Sequence, residues 1–339
     1  MRGRNVLVLL ACGLAAGSAC LPSDPVLVLT PLCEPGAAQG CYCSARQTGA
    51  QTCSDDGMRW GACDCSVAPP SPPPPAQSGA PGATPSAKVT ITRSDNIAAL
   101  PGSVLFENSH ATRGVVLLHG EQGGATVDVD AEPLARRGFT VLAMCWYGCA
   151  GRPSKILRVP LESVVEALGW LQQRVPSRRV GLFGKGRGAE LAVLLASLLQ
   201  KQDLVSAVAV HAPSDFVVGG YDPATPKSKL FEQGPGGEQI IAPAWTWQGS
   251  ALAGSDNDSG VVERIEIERY LGPLWLSHGM QDELWSVRRS ERLFARRQQV
   301  PSLVTLTQFW PGEKHVLSAS VAAAFIDGLS GFFEAQMAP

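Results

Sequence analysis

From Lys88 onward, apolar and polar positions alternate in blocks that change period. "KVTIT" and "SVLFE" read as opening strands. "RGVVLLHGEQGG" is a continuous apolar run entering a glycine-rich loop, and "GFTVLAMCWYG" is a second such run. "PLESVVEALGWLQQRV" then spaces its apolar residues at helical intervals, with Pro160 at its start. "RRVGLFG" predicts a central strand, and "RGAELAVLLASLLQ" predicts the helix after it. "LVSAVAVHAP" and "LGPLWLSHG" are further strands. "SVRRSERLFARRQQV", "SLVTLTQFW" and "SASVAAAFIDGLSGFFEAQ" close the pattern as helix, strand and helix. Unbroken apolar strands separated by amphipathic helices predict an α/β domain with a mostly parallel central sheet and helices on both faces. Ligands in such sheets sit beyond the carboxyl ends of the strands. Between Pro213 and Tyr270 the pattern loosens into a Gly- and Pro-rich excursion holding Trp245 and Trp247, read either as a lid or pocket wall or as a plain surface insertion.

Ahead of this domain, residues 88–339, the chain has a different character. "MRGRNVLVLLACGLAAGSAC" has a basic start at Arg2 and Arg4, an apolar stretch from Val6 to Ala16, and small residues before Cys20. Residues 1–20 thus read as an export signal. It resembles a bacterial lipoprotein signal, in which Cys20 becomes the lipidated first residue. Gly17 stands where such signals usually carry leucine, so cleavage without lipidation is the alternative. Lipidation predicts a membrane-anchored protein facing the periplasm or cell surface. Residues 21–68 hold Cys33, Cys41, Cys43, Cys53, Cys63 and Cys65. Six cysteines in an exported segment read as up to three disulfides, a stapled module too small for much core of its own. Zinc is the rival reading, weakened because the segment has no histidine and its spacings are C-x-C. Residues 69–87 form a Pro-rich, semi-rigid spacer. Net charge is −2 and no basic block stands out, so nucleic acid is not an expected partner.

The chemistry centres on "RRVGLFGKGRGAE", residues 178–190. A strand, a glycine-rich turn and a helix give the layout of a nucleophile elbow, G-x-S-x-G, in which a strained turn lifts a serine toward the substrate. Here the frame is Gly184-Lys185-Gly186-Arg187-Gly188, and the nucleophile position is Gly186. The partners follow in the order nucleophile, acid, histidine. Asp282 lies past a strand end in "LSHGMQDELW", and His315 lies past the last strand in "FWPGEKHVL". An aspartate so placed holds an imidazole in one tautomer, and the imidazole takes the proton of the attacking group. The oxyanion of such a reaction needs preorganised main-chain N–H groups. Arg187 supplies one, and Glu121 or Gln122 in "HGEQGG" supplies the other. His119 reads as structural. Ser214, Cys145 and Cys149 also fall near strand ends, but none stands at the strand–helix turn that aims a nucleophile. The two cysteines read as buried thiols or, in an exported protein, as a disulfide.

The blocks "GLFGKGRGAELAVLLAS", "AVAVHAPSD", "APAWTWQG", "LGPLWLSHGMQDELW" and "FWPGEKHVL" resemble, in order, the C-terminal domain of acyl-CoA thioesterases and bile-acid-CoA:amino acid N-acyltransferases. The resemblance spans about residues 102–335. It implies an α/β-hydrolase fold, akin to dienelactone hydrolases, and acyl transfer from an ester or thioester with no cofactor and no metal. It assigns the acid to Asp282, the base to His315 and the nucleophile to position 186. The sequence departs from the family there, and the usual N-terminal β-sandwich is replaced by the cysteine segment and spacer.

Glycine offers no atom for an acyl-enzyme. Two functions follow: a hydrolase of ester or thioester bonds, impaired at its nucleophile, in which His315 activates water; or a non-catalytic, exported binder of acyl ligands. Coenzyme A thioesters are cytoplasmic, so an exported chain is as well matched to a carboxylic ester, a lactone or another acyl compound.

Overall fold

The computed structural model of the chain describes residues 35–44, 47–52, 54, 55, 64, 66, 67, 89–95, 97–124, 128–200, 203–226, 228–255 and 263–338. The export signal with Cys20, the spacer, Cys33, Cys53, Cys63 and Cys65, and the side chains of Cys41 and Cys43 lie outside the described residues. The chain divides into two units between Gln77 and Ser78. In the first, Ala38–Ser44 pairs antiparallel with Gln47–Thr52, with a bulge near the turn, and Ala50 bridges to Asp64.

The second unit is built on eight strands: β1 (Ile91–Ser94), β2 (Val104–Asn108), β3 (Arg113–Leu118), β4 (Phe139–Met144), β5 (Val180–Lys185), β6 (Ala207–His211), β7 (Leu274–Gly279) and β8 (Thr305–Trp310). Their order across the sheet is β1-β2-β4-β3-β5-β6-β7-β8. β3 to β8 run parallel, while β1 and β2 are antiparallel additions at one edge. This is the order of the α/β-hydrolase fold that the sequence predicts. The central strands β3, β4, β5, β6 and β7 are buried almost throughout, which is why they read as unbroken apolar runs.

Among the described residues five α-helices cover the sheet: α1 (Asp128–Arg136), α2 (Glu162–Gln172), α3 (Arg187–Leu199), α4 (Arg288–Gln298) and α5 (Ala319–Gln336). Leu168 and Leu171 of α2, Leu191 and Leu195 of α3 and Leu293 of α4 share one core with Val116, Leu182 and Val210. On the opposite face Leu134 of α1 and Phe325, Leu329 and Phe333 of α5 pack with Phe139, Phe183 and Trp275.

Two features differ from the sequence reading. α1 carries no clear signal, because it has Pro133 in its interior and its apolar residues are few. Burial of Ala131, Leu134 and Ala135 against the sheet makes it a helix. The excursion from 213 to 270 is an integral part of the domain rather than a plain surface insertion. Trp245, Ile265, Ile267 and Tyr270 join the core on the α3 side. Trp245–Trp247 pairs in parallel with Val159–Pro160 and antiparallel with Ser250–Ala251.

Candidate active site

β5 ends at Lys185, and α3 begins two residues later. Gly186 makes the turn between them at φ +51° and ψ −117°, a backbone conformation that side-chain-bearing residues rarely adopt. Its N–H donates to the carbonyl of His211 (3.0 Å), which ties the turn to the end of β6. Its carbonyl accepts from Ala189 (2.9 Å) and Glu190 (3.0 Å), which starts the helix. The flanking glycines serve close packing: a Cβ on Gly188 would stand 2.4 Å from the His119 carbonyl, and one on Gly184 would stand 2.2 Å from that of Gly188. The turn therefore has elbow geometry, without the elbow side chain.

Asp282 follows β7, and its side chain is fully buried. One carboxylate oxygen, Oδ1, accepts from the N–H groups of Leu284 and Trp285, both at 2.8 Å. The other, Oδ2, faces two imidazoles: His315 Nδ1 at 2.7 Å and His278 Nε2 at 3.0 Å. Burial alone would raise the pKa of this carboxyl. The hydrogen bonds from His278, His315 and Trp285 outweigh it and hold the group well below the usual carboxylate range. The imidazole of His315 is oriented by this contact, since Nδ1–H points at Asp282 and Nε2 is left toward Gly186. A Cβ on residue 186 would lie 3.2 Å from that Nε2. Burial lowers the His315 pKa, but the hydrogen bond to Asp282 and the charges of Asp282, Glu121 and Glu283 outweigh it and raise it above the ordinary value of 6.5.

The loop after β3 brings the second wall. Tyr147 donates its hydroxyl to the Glu121 carbonyl, and Gly124 N–H donates to the Tyr147 carbonyl at 3.1 Å. Behind it, the His119 ring stacks on Trp146 at 4.8 Å, and Trp146 Nε1 donates to the His119 carbonyl at 3.0 Å. Burial lowers the His119 pKa to about 4, so the ring is neutral and structural. Arg187 opens α3, where a backbone N–H has no partner one turn back. Gly120, Glu121, Gln122, Gly186 and His315 border one cavity of about 620 Å3. Its apolar wall comes from Pro133 of α1, from Leu317 just before α5, and from Phe325 and Ile326 within α5. Lys185 reaches across it to Asp130 at 2.6 Å. Among the described residues, the excursion from 213 to 270 contributes nothing to this cavity's lining.

The structure thus brings together Gly186, Asp282, His315 and the backbone of Glu121, Gln122 and Arg187. It keeps the other three nucleophile candidates away. Cys145 and Cys149 are joined in a disulfide with Cα atoms 6.4 Å apart. Ser214 is fully buried, and its hydroxyl accepts from Arg289 Nη1 at 3.0 Å. Among the described residues no cluster of three or more His, Cys, Asp and Glu is arranged to hold a metal.

Sequence reasoning missed four contributors. His278 backs Asp282 from a strand end, with its Nδ1 accepting from Ser290 at 2.8 Å. His211 donates from Nε2 to the His315 carbonyl (3.1 Å), and its Nδ1 takes the Ser277 hydroxyl (3.0 Å). Burial first, then the charge of Lys185, lowers the His211 pKa to about 3, so it stays neutral. Glu190 is buried one turn into α3; it accepts from Trp245 Nε1 (2.8 Å), Val218 N–H (2.9 Å) and Arg187 Nη1 (2.8 Å), and so seats the excursion on the elbow helix. The fourth is the side chain of Glu121, whose carboxylate lies at Gly186. The shared signal for His211 and His278, a histidine closing an apolar strand as in "VVLLHG", was visible in the sequence.

No family model matches the chain. Over 126 residues, 35% of this chain and 29% of the relative, it is 30% identical to acyl-coenzyme A amino acid N-acyltransferase 2 of Rattus norvegicus. Over 89 residues, 26% of this chain and 18% of the relative, it is 34% identical to mitochondrial acyl-coenzyme A thioesterase 2 of Homo sapiens. The chain therefore spans less than a third of the length of these curated relatives. Among solved structures, a truncated carbohydrate esterase from gut microbiota superposes with a TM-score of 0.51 over 73% of this chain and 97% of that one. At 13% identity that likeness is one of fold.

Proposed function

For an α/β-hydrolase similar over part of its length to acyl-CoA thioesterases and N-acyltransferases, we propose hydrolysis of an ester or thioester bond by water, without an acyl-enzyme at residue 186. Asp282 fixes the tautomer of His315. His315 takes a proton from water and passes it to the leaving group. The N–H groups of Arg187 and of Glu121 or Gln122 receive the charge that develops on the carbonyl oxygen. The observation that carries this reading is the aim of His315 Nε2 into the open space at Gly186, with Asp282 directly behind it. Loss of a triad nucleophile typically leaves about 10³–10⁴ over the uncatalysed rate, from binding and the oxyanion site. The expected turnover is slow.

The glycine itself favours a second reading, an acyl-ligand binder that kept the pocket. Assays on p-nitrophenyl acetate and butyrate and on a short acyl thioester separate the two. The hydrolase reading expects turnover above buffer that disappears in His315→Ala. A wild type at the buffer rate that still binds the acyl compounds would replace it with the binder.

Export through residues 1–20 belongs to the same proposal. The Cys145–Cys149 disulfide supports an oxidising compartment. There a carboxylic ester or other acyl compound is a better-matched substrate than a coenzyme A thioester. Lipid attachment at Cys20 is tested by detergent partitioning of the wild type against Cys20→Ala: loss of the detergent-phase protein is expected, and equal partitioning would refute an anchor.

A further inference from the structure

The absent hydroxyl leaves a space with polar walls. A Cβ built on Gly186 stands 3.0 Å from Glu121 Oε2 and 3.2 Å from His315 Nε2. Two chemically active atoms, one from the loop after β3 and one from the loop after β8, thus converge on one spot that only glycine leaves open. Glu121 Oε1 and His315 Nε2 are 4.0 Å apart, too far for a direct hydrogen bond and suited to one bridging water. Among the described residues the ion-pair partner of Glu121 is His315; Gln122 Nε2 stands 3.4 Å from the carboxylate, and the Tyr147 and Tyr221 hydroxyls lie within its electrostatic reach. The backbone below this carboxylate is held by the Tyr147 hydroxyl, so the fold sets the point from which the side chain reaches toward Gly186.

We propose that Gly186, Glu121 and His315 together form the seat of the attacking water, with Glu121 as a further catalytic residue. This rests on the hydrolytic reading above and gives the glycine a positive role. Water has two hydrogens. One is donated to His315 Nε2 and the other to the Glu121 carboxylate, which turns the oxygen lone pair toward an acyl carbon whose oxygen lies on the main-chain N–H groups. As the new C–O bond forms, the O–H bond toward His315 breaks and its proton moves to Nε2. The tetrahedral intermediate then expels the alcohol or thiol. His315 returns the same proton to the leaving oxygen or sulfur, and one water is consumed per acyl bond broken. Asp282 stays ionised throughout.

The test uses the full chain with p-nitrophenyl butyrate. Glu121→Ala is expected to lower kcat by roughly 10²-fold, the scale of losing the orientation of a reactant, with KM near the wild-type value. Glu121→Gln, which keeps an acceptor oxygen but no charge, is expected to restore part of that loss. In both variants the pH at which activity rises is expected to fall, because one of the carboxylates facing His315 is gone. Gly186→Ala puts a methyl group 3.0 Å from Glu121 Oε2 and 3.2 Å from His315 Nε2, which crowds the water between them, and its turnover is expected to vanish. Thermal melts establish that each variant is folded, and the variants at the partly exposed Glu121 decide the question if Gly186→Ala is not. Intact mass after rapid quench is expected to show no acyl adduct on the wild type. Wild-type kcat in Glu121→Ala, or an acyl adduct on Glu121, overturns the water seat while His315-dependent turnover keeps the hydrolytic reading. A wild type with no turnover removes both.

Discussion

Replacing Gly186 by serine tests whether the turn is an elbow under strain. The residue sits at φ +51° and ψ −117°. Holding a side-chain-bearing residue in such a region costs of order 1–3 kcal/mol. Removing a glycine recovers about 0.4–1 kcal/mol, because the unfolded chain has fewer states to lose. The new Cβ meets Glu121 Oε2 at 3.0 Å and His315 Nε2 at 3.2 Å. The first is the end of a flexible side chain and moves cheaply; the second, held on Asp282, must give by a few tenths of an ångström. The net loss is roughly 1 kcal/mol, which for a domain of this size lowers Tm by about 2–4 °C. Trp60 aside, every tryptophan of the chain lies in the hydrolase unit, so intrinsic fluorescence follows its unfolding. Gly186→Ala, which has the same backbone demand and no hydroxyl, is expected to melt close to the serine variant. Serine and alanine variants that melt at or above the wild type would refute the strained turn. The serine variant is also expected to gain what glycine lacks: an acyl adduct at residue 186 on rapid quench with p-nitrophenyl butyrate.

Four further outcomes follow from the structure. The base must be neutral to act, and His315 has a raised pKa, so kcat/KM is expected to increase with pH on a limb lying above 6.5, the ordinary imidazole value; Asp282→Asn should move that limb to lower pH and cut kcat by up to about 10⁴-fold, and an unmoved limb would assign the titration to another group. The charge on His315 is stabilised in the folded state, so its contribution to stability is present below the ordinary value and is lost as pH rises through the raised one. Glu190→Ala leaves Arg187 buried without its counter-charge and frees the Trp245 and Val218 N–H donors, so a loss of about 3 kcal/mol is expected in urea unfolding, and a loss below about 1 kcal/mol would deny that this carboxylate seats the excursion. Replacing Cys145 and Cys149 by serine opens a loop closed over a separation of four residues, worth about 2 kcal/mol by chain entropy; the double variant should melt lower under oxidising conditions and match the wild type under reducing ones.

The sequence by itself determined the sheet, because burial on both faces demands unbroken apolar strands, and β3, β5, β6 and β7 carry that mark in one dimension. It also determined the order of Gly186, Asp282 and His315, because each follows a strand whose carboxyl end must face the same edge. Helix α1 was not legible, since Pro133 and a polar first turn conceal a segment that only its neighbours make helical. The tertiary structure alone decided which side chains accompany the triad positions. His278 and His211 read as strand residues until the fold set one against Asp282 and the other against the His315 carbonyl. The Glu121 side chain was invisible for the same reason: its backbone role follows from a local glycine loop, whereas its carboxylate reaches Gly186 only because strands far apart in sequence lie side by side. Local pattern encodes burial and period, and distances between loops exist only after the sheet has brought them together.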